Sequence, residues 1–127
     1  MNTDEERINS ITEKIIGCSF RVHNELHGGF AEKVYENALA FELREAGLKV
    51  EQQMPTVVRY RGVVVGDYIA DLIVEGAVLV EIKAVRNLDD AHKAQCLNYL
   101  AATSIGVCLL INFGTKVEVR RFRGNKK

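Results

Sequence analysis

Residues 71–83 read D-L-I-V-E-G-A-V-L-V-E-I-K, and this stretch decides the fold. Two apolar, β-branched runs, Ile69–Val74 and Val78–Ile82, flank Glu75-Gly76, the composition of two strands joined by a hairpin turn. The charged residues set into these runs or closing them are Asp71, Glu81 and Lys83. With Gly76 at the centre of a three-residue loop, Asp71 falls directly opposite Glu81. Directly paired side chains share a face, with Cβ atoms roughly 4.5–5.5 Å apart. Glu81 and Lys83 stand two apart on one strand, so they share that face at about 6.6–6.8 Å. The hairpin thus gathers two carboxylates and an ammonium on an apolar sheet. Like charges set opposite one another destabilise a sheet unless something compensates, and a divalent cation would do so.

Working outward, Arg61-Gly62 forms a turn into a long strand, Val63 to Val74. Before it, Leu48–Gln53 and Thr56–Tyr60 read as two strands separated by Met54-Pro55, the single proline of the chain. After it, the second hairpin strand runs through Val85. Asn87 to Thr103 is helical, capped by Asn87 or Asp89, with Ala94, Leu97 and Ala101 along one side. Ile105–Phe113 is an apolar run suited to a strand covered on both faces, and Lys116–Arg123 alternates as an edge strand does. At the N-terminal end, a helix over residues 4–26 carries the stripe Ile8, Ile11, Ile15, Val22 and Leu26, with Thr3 or Asp4 as cap. His27-Gly28-Gly29 ends it. A second helix, Ala31 to Ala46, turns Val34, Tyr35, Ala38, Leu39 and Leu43 inward. The order α-α-β-β-β-β-α-β-β predicts a three-layer α/β sandwich: a central mixed sheet flanked by helices, with a strand–helix–strand crossover at its centre.

The 127 residues suit one domain spanning 1–127, with 1–3 and 124–127 as flexible ends. Hydrophobic residues at 47% and charged residues at 27% match a soluble globular protein. The formal net charge of +0 gives nucleic-acid binding no bulk support. The C-terminal stretch does, with Lys116, Arg120, Arg121, Arg123, Lys126 and Lys127 against Glu118. It reads as a phosphate-contacting edge or as a solvated basic tail. No apolar run approaches the roughly 20 residues that span a bilayer, and the polar, acidic start is not a secretory signal. Cys18, Cys96 and Cys108 are odd in number, with no metal spacing, and read as free thiols of a cytoplasmic protein.

The chemistry suited to Asp71, Glu81 and Lys83 is metal-assisted phosphodiester hydrolysis. Carboxylates hold Mg²⁺, the ion polarises the phosphate and activates water, and the lysine orients that water or stabilises developing charge. The bland alternative is a surface Glu–Lys pair with Asp71 unrelated. Gln95 and Tyr99, four apart on the Asn87 helix, share a face with His92. They would meet a substrate phosphate or the lysine if that helix packs beside the hairpin, and are a helix flank otherwise. Glu32, in the first turn of the second helix, is a partner of the helix dipole or a further acid of the same site. His23 and His27 lack the H-E-x-x-H order of a zinc protease helix, and fit the C-terminal dipole of helix one.

In order, Gly29-x-x-Glu32-x-x-Tyr35, Asp71, Glu81-Ile82-Lys83, Gln95-x-x-x-Tyr99 and L-I-N-F-G at 110–114 resemble the GxxExxY family, a branch of the PD-(D/E)XK nuclease superfamily similar to the RecB-type nucleases. The resemblance implies a restriction-endonuclease-like fold and a Mg²⁺- or Mn²⁺-dependent nuclease. It implies metal ligation by Glu32, Asp71, Glu81 and the backbone carbonyl of Ile82. Lys83 would be the catalytic lysine, Gln95 the residue that positions phosphate, and Tyr35 and Tyr99 supporting residues. Arg120, Arg121 and Arg123 are the candidate nucleic-acid contacts. Ala70 stands where the superfamily pattern has proline. The expected partner is nucleic acid, DNA before RNA, with a homodimer as one way to widen the groove of so short a chain. The competing functions are a non-catalytic module of the same fold, binding nucleic acid or a protein, and an enzyme acting on a small phosphate-containing molecule.

Overall fold

The computed structural model describes residues 3–124. Two helices come first, α1 (Thr3–Leu26) and α2 (Glu32–Glu45). They are followed by β1 (Val50–Tyr60), β2 (Val63–Val74), β3 (Val78–Lys83), α3 (Asp90–Ala102), β4 (Val107–Phe113) and β5 (Val117–Arg123). The strands form one mixed sheet in chain order, β1-β2-β3-β4-β5. β3 and β4 are parallel, joined through α3, and the other neighbours are antiparallel. This is the α/β sandwich that the sequence predicts, with its central crossover.

Two apolar clusters hold the layers together. Ile11, Ile15 and Val22 of α1 and Tyr35, Leu39 and Leu43 of α2 pack on Leu72, Val74, Val78, Val80, Ile82, Leu109 and Ile111. On the opposite face, Cys96, Tyr99 and Leu100 of α3 pack on Ala70, Leu79, Cys108 and Leu110. β4 is buried throughout, as an apolar run covered on both faces must be.

Four expectations need correction. The two strands expected between Leu48 and Tyr60 are one, β1, which starts at Val50: Pro55 pairs with Ile69 on an edge strand, where a missing N–H costs little. β3 stops at Lys83, and α3 starts at Asp90 behind the N-cap Asp89, whose side chain accepts from Ala91 N and His92 N. The buried face of α3 is Cys96, Tyr99 and Leu100; Ala94, Leu97 and Ala101 are exposed. That helix is apolar on both sides, so periodicity alone does not choose its inner face. Val34 of α2 is likewise exposed, and Glu36 is buried in its stead. His27, at φ 58°, takes the left-handed position after α1. Gly28 is needed for another reason: a Cβ there would lie 2.9 Å from the carbonyl oxygen of Gly114. The expectation of flexible ends falls partly outside the described residues; within them, Thr3 belongs to α1 and Gly124 N donates to Gly106 O.

Candidate active site

The β2–β3 hairpin has the predicted register. Val74 pairs with Val78, Ile73 with Leu79 and Leu72 with Val80. The next rung belongs to Asp71 and Glu81, and there side chains replace the ladder. Asp71 N donates to Glu81 Oε2 at 3.1 Å, and Ile82 N donates to Asp71 Oδ2 at 2.8 Å. Beyond this point β2 pairs with β1 alone.

Gln53 explains the departure. Its φ of 55° sets a left-handed residue inside β1, opposite Asp71 in the running register. Both strands change face there. Leu72 and Val74 belong to the α1/α2 cluster, whereas Ala70 and Tyr68 pack against the α3 cluster. Asp71 therefore stands in a gap where the β1–β2 ribbon peels away from β3, within reach of groups from both faces. From the α2 side comes Glu36, only 3% exposed. Gln53 Nε2 donates to Glu36 Oε1 at 2.8 Å and to Asp71 Oδ1 at 3.3 Å. Gln52 Nε2 and Lys33 Nζ donate to Glu36 Oε2 at 2.8 and 2.9 Å. From the α3 side come Glu81 and Lys83, which alternate with the inward Val80 and Ile82.

Burial, first, and the neighbouring Asp71 carboxylate push Glu81 up to about 8. Burial also raises Asp71, with Glu36 adding to it and Ile82 N and Lys83 opposing. Among the described residues no hydrogen bond or ion pair engages Lys83 Nζ, so its charge faces the two acids uncommitted. On α3, Gln95 Nε2 donates to Tyr99 Oη at 3.4 Å, and Tyr99 Oη donates to Ile69 O at 2.5 Å, two residues from Asp71. Burial, first, and Glu81 push the Tyr99 hydroxyl up to about 12, which keeps it a donor. Tyr35 is fully buried, and its hydroxyl turns to the α1–α2 loop rather than to Asp71 or Glu81. It stacks on Phe113 at 4.7 Å, donates to His27 O at 2.6 Å and accepts from Phe30 N at 3.2 Å, which fixes the α1–α2 loop.

The model of the PD-(D/E)XK nuclease superfamily matches residues 9–122. The chain belongs to that superfamily. Solved structures agree on the fold of this nuclease-superfamily domain. SSO0001 matches at a TM-score of 0.60 and 19% identity, over 75% of this chain and 50% of its own. An alkaline exonuclease (LHK-Exo) from Laribacter hongkongensis matches at 0.56 and 14% identity, over 75% and 57% respectively. The chain thus spans about half the length of these structures. No curated protein matches it. Among the described residues no helix is long and apolar enough to cross a membrane.

Members of this superfamily typically use divalent metals. The donor chemistry of this superfamily domain fits one. Asp71 and Glu81 are hard oxygen donors on facing strands, each hydrogen-bonded to the other strand's backbone and each pushed towards protonation by burial and a neighbouring acid, and a hard divalent cation would relieve that repulsion. Among the described residues no three such groups already converge at coordinating distance. Glu32 is exposed and, unlike Glu36, carries no bond to the cluster. A four-residue step puts the two on one helix face, with Glu32 about 6 Å farther towards the N-terminus. In the sequence Glu36 stands four residues after Glu32, which holds the motif position, and takes no role of its own there. The signals for Glu36 were its place after the inward Tyr35 and the Gln52-Gln53 pair that reaches it. The arginines do not form one patch. Arg120 binds Glu118 at 2.9 Å, whereas Arg121 binds Thr12 of α1 at 3.3 Å and Arg123 meets Glu5 of α1 at 3.5 Å. The alternation of β5 sends them to opposite faces. Lys126 and Lys127 lie outside the described residues.

Proposed function

We propose that this superfamily member is a metal-dependent nuclease that hydrolyses nucleic-acid phosphodiester bonds, with DNA the foremost substrate, in the manner of the GxxExxY branch. The observation that carries the reading is the Asp71–Glu81 contact with the uncommitted Lys83 ammonium on the same strand as Glu81. Asp71, Glu81 and the carbonyl of Ile82 hold the metal, Mg²⁺ or Mn²⁺. Glu36 is the inner acid from α2 and Glu32 the outer one. When bound, the ion polarises the phosphate and acidifies water.

The chain's own residues supply the rest. Lys83 Nζ holds the attacking water by a hydrogen bond and offsets negative charge as it develops on the phosphoryl oxygens. Gln95 offers its amide to a phosphate oxygen once it leaves Tyr99 Oη, a contact of 3.4 Å that is weak enough to exchange. Tyr99 and the Gln53 amide hold the flanks of Asp71 in place. The test is incubation of the purified protein with single- and double-stranded DNA and RNA, with Mg²⁺ or Mn²⁺. Metal-dependent cleavage that disappears in the Glu81→Ala, Lys83→Ala variant supports the reading. Equal cleavage by both proteins overturns it. Salt-dependent binding without turnover would instead identify a non-catalytic nucleic-acid module.

A further inference from the structure

A cavity of about 270 Å³ opens at the C-terminal ends of β3 and β4, between Arg86-Asn87 on one side and Lys116 on the other, with Asn112 at its base. Its walls are fixed. Asn112 Oδ1 accepts from Val85 N and Asn112 Nδ2 donates to Val85 O, both at 2.9 Å, so one buried amide clamps the segment that carries Arg86. Opposite, the Gly114 carbonyl accepts from His23 Nε2 at 2.9 Å and packs on Gly28, where no Cβ fits. The one acid at the rim, Glu118, is already committed to Arg120 at 2.9 and 3.1 Å.

The cations here are not committed. Among the described residues, the lysine and arginine side chains without a hydrogen bond, ion pair or aromatic contact are Lys14, Lys49, Lys83, Arg86 and Lys116. The last three gather at this end of the sheet. Lys83 pairs directly with Asn112 across the parallel ladder, so the cavity adjoins the candidate active site. At most about 10 Å of chain separates Lys83 from Arg86. That is the rise of about three nucleotides of one strand in a duplex.

We propose that this cavity is a backbone-phosphate subsite, holding two consecutive phosphodiesters of the nucleic acid within a few nucleotides of the bond presented to Lys83. The inference rests on the nuclease reading. Arg86 supplies a planar fork matched to two phosphate oxygens and Lys116 a point charge, so the two together take a dianionic stretch of backbone.

The test measures binding of a fluorescent single-stranded DNA oligonucleotide, and of its duplex, over a range of salt with Ca²⁺ in place of the catalytic ion, and KM with Mg²⁺ or Mn²⁺. For the Arg86→Ala, Lys116→Ala variant, the log–log salt slope on single strands falls by about 1.4, the loss of two contacts, and KM rises about tenfold. Arg86→Lys with Lys116→Arg restores the slope, and Lys14→Ala leaves it unchanged. A slope and KM equal to wild type in the double-alanine variant, with cleavage intact, overturns the subsite alone. The slope change without cleavage by wild type overturns the nuclease reading and leaves the subsite standing. No binding of DNA by wild type overturns both.

Discussion

Glu36 of α2 and Asp71 of β2 are joined by one side-chain amide: Gln53 Nε2 reaches Glu36 Oε1 at 2.8 Å and Asp71 Oδ1 at 3.3 Å. The bridge links the α2 layer to the hairpin through a residue in left-handed conformation, and it orders the acids by importance. Glu36→Gln is expected to lower nuclease activity by at least about tenfold, and Glu32→Gln by less, because only Glu36 is tied to Asp71. Steady-state rates of the two variants under saturating Mg²⁺ check this. A larger loss for Glu32→Gln would return the inner position to Glu32.

Metal-free protein should lose stability as pH rises. Burial and Asp71 raise Glu81 to about 8 in the folded state, against 4.5 for an ordinary glutamate. Between those values the folded state binds more protons than the unfolded one, so the stabilisation is complete below about 4.5 and is lost as pH climbs through about 8. Each tenfold gain in proton affinity is worth about 1.4 kcal/mol, which puts the loss on the order of a few kcal/mol. Thermal melts in a chelator from pH 5 to 9 should show a falling Tm. Glu81→Gln should flatten the profile, and added Mg²⁺ should lift its alkaline end. A flat wild-type profile would contradict the coupling.

Tyr35→Phe keeps the stack on Phe113 and removes the hydroxyl that serves His27 O and Phe30 N. Leaving those groups without a partner costs about 1–3 kcal/mol. Denaturant melts should report this, with Tyr35→Ala losing about 3–5 kcal/mol as the cavity adds to it.

Tyr99→Phe removes the hydrogen bond to Ile69 O that ties α3 to β2 beside Asp71. Stability is expected to fall by about 1 kcal/mol. Activity should fall further than stability accounts for, because Asp71 loses a positioning neighbour. Rates measured well below the Tm of both proteins separate the two effects.

Gly28→Ala forces a Cβ to 2.9 Å from the Gly114 carbonyl, backbone against backbone. The α1–α2 loop or the β4–β5 turn must shift, at a cost of about 1–3 kcal/mol. The expected outcome is a lowered Tm, read by calorimetry.

Sequence by itself determined the hairpin, its register and the order of layers. Those follow from period and turn chemistry: Glu75-Gly76 and Arg61-Gly62 both take the left-handed conformations that tight turns require, and alternation then sets which residues pair. It also singled out Asp71, Glu81 and Lys83, since charge inside an apolar strand is conspicuous wherever the fold places it. Tertiary structure alone decided which further groups join them. The left-handed conformation of Gln53 has no signature in composition, yet where it stands Ala70 goes to one face and Leu72 to the other, and Asp71 sits in the gap between. Glu36 and Glu32 are indistinguishable by helical spacing. Only the packing of Tyr35 on Phe113 and the reach of Gln52 and Gln53 commit Glu36 to the interior. Local pattern determines which residues lie on a face, whereas the rotation and seating of one layer on another determine which faces meet.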